Sequence, residues 1–189
     1  MALDGPSEAD LARRCRRGDP LAWRELVRRF TPLVYRLAHG MLRSESEAED
    51  ATQEVFLRMH RSFETFDSTR PMAPWVARTA YHACLRRLEP AMRRATTAAG
   101  PEELLAVEDP ARPSPEQETE RKEALALLAR ALAELPAQDR ALLDLRYREG
   151  LSDAEVAEAT GIPVNTVKTR IFRARARLRG WLAPLLERS

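Results

Sequence analysis

A basic segment near the C-terminal end carries the most distinctive chemistry of the sequence. Residues 165–179 contain six bases and no acid. A helix with this charge repels itself unless an anionic surface lies beside it. An α-helix fits the major groove of duplex DNA, where lysine and arginine side chains hydrogen-bond to guanine. The segment therefore predicts a helix that contacts DNA, although a solvated basic helix is the simpler explanation of the charge alone.

Two faces are expected on this helix. Val167, Ile171, Ala174 and Leu178 recur at steps of three and four residues and predict one apolar stripe. The opposite face is polar except for Phe172, and a large aromatic side chain is unusual there unless it has something to touch. The residues of this second face are Asn165, Thr166, Lys168, Thr169, Phe172, Arg173 and Ala176.

The residues just before the basic helix predict a second helix and a tight turn. Ser152 and Glu155 have the spacing of a capping box, in which each side chain accepts from the backbone N–H of the other residue. Gly161 can adopt the positive φ that ends a helix, and Pro163 suits the first turn of the next one. Together with the apolar stripe and Phe172, these signals predict a helix-turn-helix over residues 151–178.

Composition limits the class of protein. The chain has 189 residues, of which 44% are hydrophobic and 32% charged, and this allows one or two globular domains. No apolar run is long enough to span a membrane, and residues 1–10 lack the apolar core of a signal peptide, so we expect a cytoplasmic protein. Cys15 and Cys84 lie far apart and predict buried or incidental thiols rather than a disulfide or a metal site.

Charge changes sign along the chain, although the net charge is only +2. Residues 11–94 carry 17 bases and 10 acids, whereas residues 95–123 carry 3 bases and 8 acids. Five prolines between positions 90 and 115 interrupt the helical period, so residues 93–119 predict an acidic linker. On either side, residues 7–92 and 120–182 predict two small all-α domains, since no strand pattern appears.

Helical periods place the elements of both domains. Residues 7–43 predict two helices separated by Gly18, Asp19 and Pro20, and the second has a broad apolar face that belongs in a core. Residues 61–74 predict a loop that leads into a helix over residues 75–87. After the linker, a helix is expected over residues 121–135, followed by another that ends at Gly150.

Two segments of the first domain leave their roles open. Residues 44–60 predict a helix with Glu49, Asp50, Gln53 and Glu54 outside, which is either an ordinary solvated face or a docking face for a basic partner. The aromatic and basic residues around the loop suit stacking against unpaired bases. Alternatively, Phe63, Phe66 and Trp75 close the core of this domain.

Three stretches resemble a known family. ELPAQDRALLDLRYREGLSDAEVAEATGIPVNTVKTRIFRARARL is similar to region four of a bacterial RNA polymerase sigma factor of the extracytoplasmic-function (ECF) type. SEAEDATQEVFLRMHRSFETFD resembles region two of that family, at the helix that binds core RNA polymerase. GDPLAWRELVRRFTPLVYRLAHGML resembles the preceding helix. The resemblance covers all but the ends and the linker.

The resemblance implies a factor that joins core polymerase and directs initiation at promoters with minus-10 and minus-35 elements. Its implied partners are the β′ clamp helices and β flap of the polymerase, promoter DNA and an anti-sigma factor. Region two would dock through Glu49, Asp50, Gln53 and Glu54. The minus-10 element would meet Phe66, Arg70, Trp75, Arg78 and His82. The minus-35 element would meet Asn165, Thr166, Lys168, Thr169, Arg170, Phe172 and Arg173, with Arg148 and Arg175 added at phosphates.

One segment departs from the family pattern. The usual run after the tryptophan is W-L-x-x-I-A-x-N, with an aspartate four residues later, whereas this chain has WVARTAYH. Thr79 replaces the isoleucine, His82 replaces the asparagine, and Arg86 stands at the aspartate position. The departure predicts an unusual minus-10 preference, or leaves His82 as a plain surface residue.

Two other functional classes compete with this interpretation. A stand-alone helix-turn-helix regulator would explain residues 151–178 but has no need of the acidic helix at residues 44–60. An enzyme is disfavoured, because His39, His60 and His82 are scattered and no glycine-rich phosphate loop or paired metal-ligand spacing appears. We therefore expect no catalytic residue, no metal and no cofactor.

Overall fold

The computed structural model describes residues 7–94 and 115–186. In these residues every regular element is helical, as the sequence predicts. The elements are α1 (Glu8–Arg16), α2 (Pro20–Leu42), α3 (Glu45–Ser62), a 3₁₀ turn (Phe63–Thr65), α4 (Met72–Arg94), α5 (Pro115–Ala133), α6 (Ala137–Leu143), a π turn (Asp144–Arg148), α7 (Asp153–Thr160) and α8 (Val164–Leu186). The helices of these described ranges offer no segment that is both long and apolar enough to cross a bilayer.

Polar residues set the ends of the first helices. The Ser7 hydroxyl accepts from the Asp10 N–H at 3.2 Å, and the Asp19 carboxylate accepts from the Leu21 N–H at 2.9 Å. These side chains satisfy backbone donors that have no partner within the helix. Arg43 ends α2 in the left-handed region, at φ 58°. The break that the sequence predicts around Gly18 to Pro20 is therefore confirmed.

The first domain packs α1, α3 and α4 around α2. The broad apolar face of α2 is buried as expected, with Leu26, Val34 and Leu37 almost fully excluded from solvent. Small side chains on the facing helices, such as Ala48 and Ala80, let the backbones approach closely. Full burial of one leucine stabilises the folded state by about 1.5–3 kcal/mol. Cys15 and Cys84 are both buried as free thiols in this domain.

Two helices begin earlier than predicted. α4 starts at Met72 rather than Trp75, because the Met72 N–H donates to Glu8 at 2.9 Å and its side chain is fully buried. α5 starts at Pro115 rather than residue 121, in keeping with the tolerance of proline in a first helical turn. The part of the predicted linker at residues 95–114 lies outside the described residues.

The second domain packs α5, α6 and α7 against α8. Its buried residues include Leu142 and Leu145 before the helix-turn-helix, and Val156 and Val167 within it. A π turn over residues 144–148 widens the end of α6, and the Leu151 N–H then donates to the Leu145 carbonyl at 3.1 Å. This connection sets the position at which α7 begins.

The two domains lie against each other. Their buried side chains form one continuous apolar cluster, with α4 against α7 and α2 against α6. Polar contacts add to it: Arg140 Nε donates to the Gly40 carbonyl at 2.8 Å, and Arg43 Nη1 donates to the Ala133 carbonyl at 3.2 Å. No pattern in the sequence predicts this packing.

Candidate functional site

The helix-turn-helix has the local geometry that its sequence predicts. Ser152 Oγ accepts from the Glu155 N–H at 3.2 Å, and Glu155 Oε2 accepts from the Ser152 N–H at 2.8 Å, which completes the capping box. The Ser152 hydroxyl, which donates to Glu155 Oε2 at 2.7 Å, and then the Ser152 N–H hold the pKa of Glu155 below its ordinary value. Gly161 ends α7 at φ 74°, with its N–H donating to the Ala157 carbonyl at 2.8 Å. These contacts fix the angle at which α8 leaves the turn.

α8 presents the two faces expected of it. Val167, Ile171 and Ala174 are buried against the rest of the domain. Phe172 is 73% exposed on the opposite side, and no other part of the described protein covers its large apolar ring. The other exposed side chains of this face are Asn165, Thr166, Lys168, Thr169, Arg173 and Ala176.

Two arginines of α8 differ in their surroundings. Arg170 is half-buried, and it donates to Asp139 at 2.6 Å and to Gln138 at 3.1 Å. Its guanidinium therefore pins α8 to α6, and the DNA contact at this position stays a prediction. Arg175 remains exposed, with its guanidinium 5.5 Å from the Tyr147 ring and donating to the Tyr147 hydroxyl at 3.1 Å.

The aromatic residues predicted for the minus-10 element form a packed cluster. Phe66 is only 4% exposed, and its ring lies 5.8 Å from Phe63 and 5.1 Å from Trp75. Tilted aromatic packing in the core takes up its ring, and the contact of Phe66 with DNA stays a prediction. The alternative that these phenylalanines close the first domain is the one observed. Trp75 keeps part of its surface exposed.

The remaining minus-10 candidates lie against α7. Arg70 forms an ion pair with Glu158, and Arg78 Nη1 donates to the Glu158 carbonyl at 3.1 Å. His82 lies beside the turn, with its Cε1 3.9 Å from the position a Cβ would take on Gly161. Burial, and then Arg78, lower the pKa of His82, so its imidazole is neutral at pH 7. We call Arg70, Arg78 and His82 the minus-10 face.

The acidic helix α3 exposes most of its predicted docking residues. Glu49, Asp50 and Gln53 point to solvent. Glu54 is half-buried, accepts from Arg87 Nη2 at 2.9 Å and also pairs with Arg58. Burial alone would raise the pKa of Glu54, but these two arginines bring it below its ordinary value. Glu54 thus ties α3 to α4.

Sequence reasoning missed one member of this surface. Leu57 is 58% exposed and stands one helical turn after Gln53. The spacing of four residues was the available signal, since it places both side chains on the same face of a helix. The acidic face of α3, meaning Glu49, Asp50, Gln53 and Leu57, therefore combines charge with an apolar contact.

Comparison with known proteins assigns the family. Residues 26–94 match Sigma-70 region 2, and residues 125–178 match Sigma-70, region 4. The ECF RNA polymerase sigma factor SigW of Bacillus subtilis is 31% identical over 175 residues, which cover 90% of this chain and 94% of SigW. The chain belongs to the ECF sigma factors.

Other relatives agree with this assignment. The sigma factor shares 34% identity over 172 residues with the ECF RNA polymerase sigma factor SigM of Mycobacterium tuberculosis, covering 91% of this chain and 83% of SigM. Among solved structures, CnrH in complex with the cytosolic domain of CnrY has the same fold, with a TM-score of 0.67 and 24% identity over 95% of this chain and 99% of CnrH. RpoE of Bartonella quintana, solved with the anti-sigma factor NepR, has a TM-score of 0.65 and 18% identity over 85% and 96% of the two chains.

The family assignment decides between the functional classes weighed from the sequence. Both sigma regions are present in one chain, and the curated relatives match across nearly its whole length. The sigma factor is therefore an initiation factor for transcription, and the stand-alone helix-turn-helix regulator is set aside.

Proposed function

We propose that this sigma factor docks on core RNA polymerase through the acidic face of α3 and recognises a promoter with its two domains. Residues 7–92 would bind polymerase and the minus-10 element, residues 120–182 would read the minus-35 element, and residues 93–119 would link them. The observation that carries the proposal is the exposed face of α8, where Phe172 stands uncovered among basic and hydroxyl side chains.

The minus-35 contact would be made in the major groove. Arg173 and Lys168 are exposed and can donate to guanine, and the Phe172 ring can touch a thymine methyl group. Thr166 and Arg175 lie at the edges of this surface and suit phosphates, which fix the register without reading sequence. Arg170 would instead hold α8 in place through Asp139.

The minus-10 contact would use the minus-10 face together with the exposed edge of Trp75. Cationic and aromatic groups of this kind hold a separated strand through its phosphates and by stacking on its bases. Phe66 would support the loop at residues 61–74 through its buried packing against Phe63 and Trp75. Because His82 is neutral at pH 7, it would act as a hydrogen-bonding group rather than as a charge.

The polymerase contact would pair the acids of α3 with a basic helical surface, the β′ clamp helices, while the β flap would meet the second domain. Asp50 and Gln53 are free of intramolecular side-chain partners among the described residues, so both can bind a partner. Leu57 adds apolar area at the same surface. An anti-sigma factor is a further proposed partner, supported by the solved complex of RpoE with NepR.

The proposed activity takes place with polymerase in the cytoplasm and needs neither a cofactor nor catalysis by this chain. Its test is run-off transcription with core polymerase on genomic fragments, followed by mapping of the start sites. We expect initiation at a small set of positions that share two elements. Absence of any chain-dependent start site would overturn the proposal.

The docking surface has its own test. Asp50→Arg combined with Gln53→Ala reverses one charge and removes one amide at exposed positions, so the fold should survive while co-purification with core polymerase is lost. Glu134→Arg makes the same change of charge at an exposed site in the turn that follows α5 and should co-purify normally. Normal co-purification of the double variant would exclude this face as the docking site.

A further inference from the structure

A cavity of about 860 Å³ lies between α2 of the first domain and α5, α6 and α8 of the second. Cavities of about 300–1,000 Å³ with mostly apolar walls and a few polar groups are the usual sites of small molecules in proteins. Only Arg148 and Arg175 among its lining residues have a predicted contact with DNA. The rest of the cavity has no part in promoter recognition or in docking on polymerase.

Leucine side chains make up much of the cavity wall. Leu37 contributes from α2, Leu143 from α6 and Leu178 from α8, while α5 adds Leu128 and Leu132. The last two and Leu178 keep part of their surface accessible to solvent. Covering this surface with an alkyl chain would be favourable, because apolar area would leave water. The walls therefore suit a hydrocarbon ligand.

Two arginines converge at the same cavity. Arg43 Nη1 and Arg140 Nη1 both donate to the Ala133 carbonyl, at 3.2 Å and 3.1 Å. Their guanidinium groups thus lie close together, and neither pairs with a carboxylate among the described residues. Burial, and then Arg43, lower the pKa of Arg140 to about 10, because two cations meet here without an acid between them. An anion beside both would offset this repulsion.

The arginine pair has donors left for a carboxylate. A guanidinium has five N–H groups, and the bond to Ala133 uses one of those on Arg43. On Arg140, Nε and Nη1 donate to backbone carbonyls, whereas Nη2 has no partner among the described residues. Hydrogen bonds from such groups to a carboxylate are about twice as strong as those between neutral groups. The one acid of the lining, Asp144, already pairs with Arg148 at 3.4 Å.

A peptide would fit this cavity less well than a lipid. Each of its residues brings an N–H and a C=O that need partners when they are buried. Besides the arginines and Asp144, the side chains of the lining that can hydrogen-bond are Tyr35, His39 and Tyr147. A fatty acid has a single polar group at one end, so it matches the arginine pair and the leucine walls together.

We propose that the cavity binds a long-chain fatty acid, with its carboxylate between Arg43 and Arg140 and its alkyl chain against the leucines of the wall. The site would make the free sigma factor a fatty-acid-binding protein in addition to an initiation factor. The inference does not depend on the proposed contacts with DNA and polymerase, since it concerns the free chain alone.

The first experiment measures binding to the purified full chain. The fluorescent fatty acid dansylaminoundecanoate is bound and then displaced by palmitate, with both kept below the concentrations at which they form micelles. We expect saturable displacement. Hexadecanol has the same chain length without the charge and should bind about ten-fold more weakly, because it cannot make the charge-assisted hydrogen bonds. Butyrate keeps the carboxylate but has too short a chain, so it should not displace the probe.

Two results of this experiment would overturn the inference. One is the absence of saturable displacement by palmitate. The other is equal binding of palmitate and hexadecanol, which would show that the arginine pair does not bind the carboxylate.

The second experiment fills the cavity. Gly40 lines it, and a Cβ added there would meet no other heavy atom within 4 Å. Gly40→Leu should therefore fold normally and weaken palmitate binding by about ten-fold or more, since the new side chain takes the space of the ligand. Gly180→Leu makes the same change at an exposed glycine of α8 outside the cavity and should bind as the native chain does. Leu128→Trp narrows the cavity from α5 and replaces Gly40→Leu if circular dichroism shows that variant to be unfolded.

The third experiment removes one charge of the arginine pair. Arg43→Gln keeps a donor for the Ala133 carbonyl, and it should weaken palmitate binding by about ten-fold while leaving hexadecanol binding unchanged. Arg61→Gln, at an exposed position of α3, controls for the change of net charge. An equal loss for both ligands would make Arg43 a support of the fold and contradict the carboxylate site. Native palmitate binding by the folded cavity-filling variants would place the ligand elsewhere and overturn the inference.

Discussion

At the residue scale, Arg173 offers the sharpest prediction about promoter reading. It is exposed beside Phe172, whereas Arg179 is exposed almost two turns further along the same helix. If Arg173 donates two hydrogen bonds to one guanine, Arg173→Ala should cost about 1–3 kcal/mol at that base pair and relax the preference there. The affinities of the native chain and of Arg173→Ala for a set of DNA duplexes, each altered at one minus-35 base pair, measure this loss.

The matched variant of that experiment is Arg179→Ala. It should weaken binding equally on all sequences or leave it unchanged. An equal loss on all sequences for Arg173→Ala as well would make Arg173 a phosphate contact, and the choice of base would then fall to Lys168 and Phe172.

Asp144 leads to a prediction about pH. Burial raises the pKa of Asp144 above its ordinary value, although Arg148 and Arg36 act against this and Glu149 adds to it. The folded state then holds its proton more tightly than the unfolded state, so stability falls as the pH rises through the pKa of the folded form. Asp144→Asn cannot ionise and should be more stable than the native chain at pH 7.

Urea unfolding of the native chain and of Asp144→Asn at a series of pH values tests this expectation, since it gives the free energy of unfolding of each. The advantage of Asp144→Asn should shrink on acidification and disappear below about pH 3.9, the ordinary pKa of aspartate. Asp50→Asn, at an exposed position, controls for the change of net charge. A less stable Asp144→Asn at pH 7 would mean that pairing with Arg148 outweighs the cost of burial.

Single residues also show where sequence reasoning stops. Phe172 could be placed on the exposed side of α8 because the apolar stripe around it fixes the faces of the helix. Phe66 lies in a loop without any period, so the sequence left both base stacking and core packing open, and its neighbours Phe63 and Trp75 decide the outcome. Glu54 was placed on the acidic surface, but its ties to Arg58 and Arg87 depend on how two helices pack.

At the element scale, the start of α7 depends on its capping box. Ser152→Ala removes the hydroxyl that accepts from the Glu155 N–H, and it should cost about 0.5–2 kcal/mol of unfolding free energy. Glu155→Gln keeps an acceptor for the Ser152 N–H and should stay within a few tenths of a kcal/mol of the native chain, since glutamine also completes the box. Denaturant unfolding of the full chain measures both, and equal stability of Ser152→Ala and the native chain would contradict the role of the cap.

The helices whose starts and ends could be predicted well are those with signals in the neighbouring sequence. α7 and α8 are framed by a cap, a glycine at positive φ and an apolar period, all within a few residues of each other. The start of α4 at Met72 was not predictable in this way, because its N–H is satisfied by Glu8, which lies 64 residues earlier. A start that depends on a distant acceptor leaves no mark in the neighbouring sequence.

At the scale of the whole molecule, the contact between the domains had no signal in the sequence. Arg70 and Glu158 are exposed charged residues that lie 88 positions apart, and neither belongs to an apolar period. Ion pairs of this kind contribute little singly, so the contact between the domains relies on the apolar cluster that continues from α2 and α4 into α6 and α7.

The apolar cluster leads to a final prediction about the interface between the two domains. A protease site introduced within residues 95–114 should give, after cleavage, two fragments that still elute together from a sizing column at low ionic strength. Glu149→Arg combined with Glu158→Arg places like charges opposite Arg36 and Arg70, and its cleaved fragments should separate. Glu134→Arg, cleaved in the same way, should elute as the native fragments do.

Salt separates the two contributions to this association. Raising the ionic strength from about 0.1 M to about 1 M shortens the screening length from about 10 Å to about 3 Å, which weakens exposed ion pairs and leaves apolar contacts intact. Co-elution that survives high salt would assign the association of the two domains to the apolar cluster. Native fragments that separate even at low salt would show that the domains meet only because one chain holds them at high effective concentration.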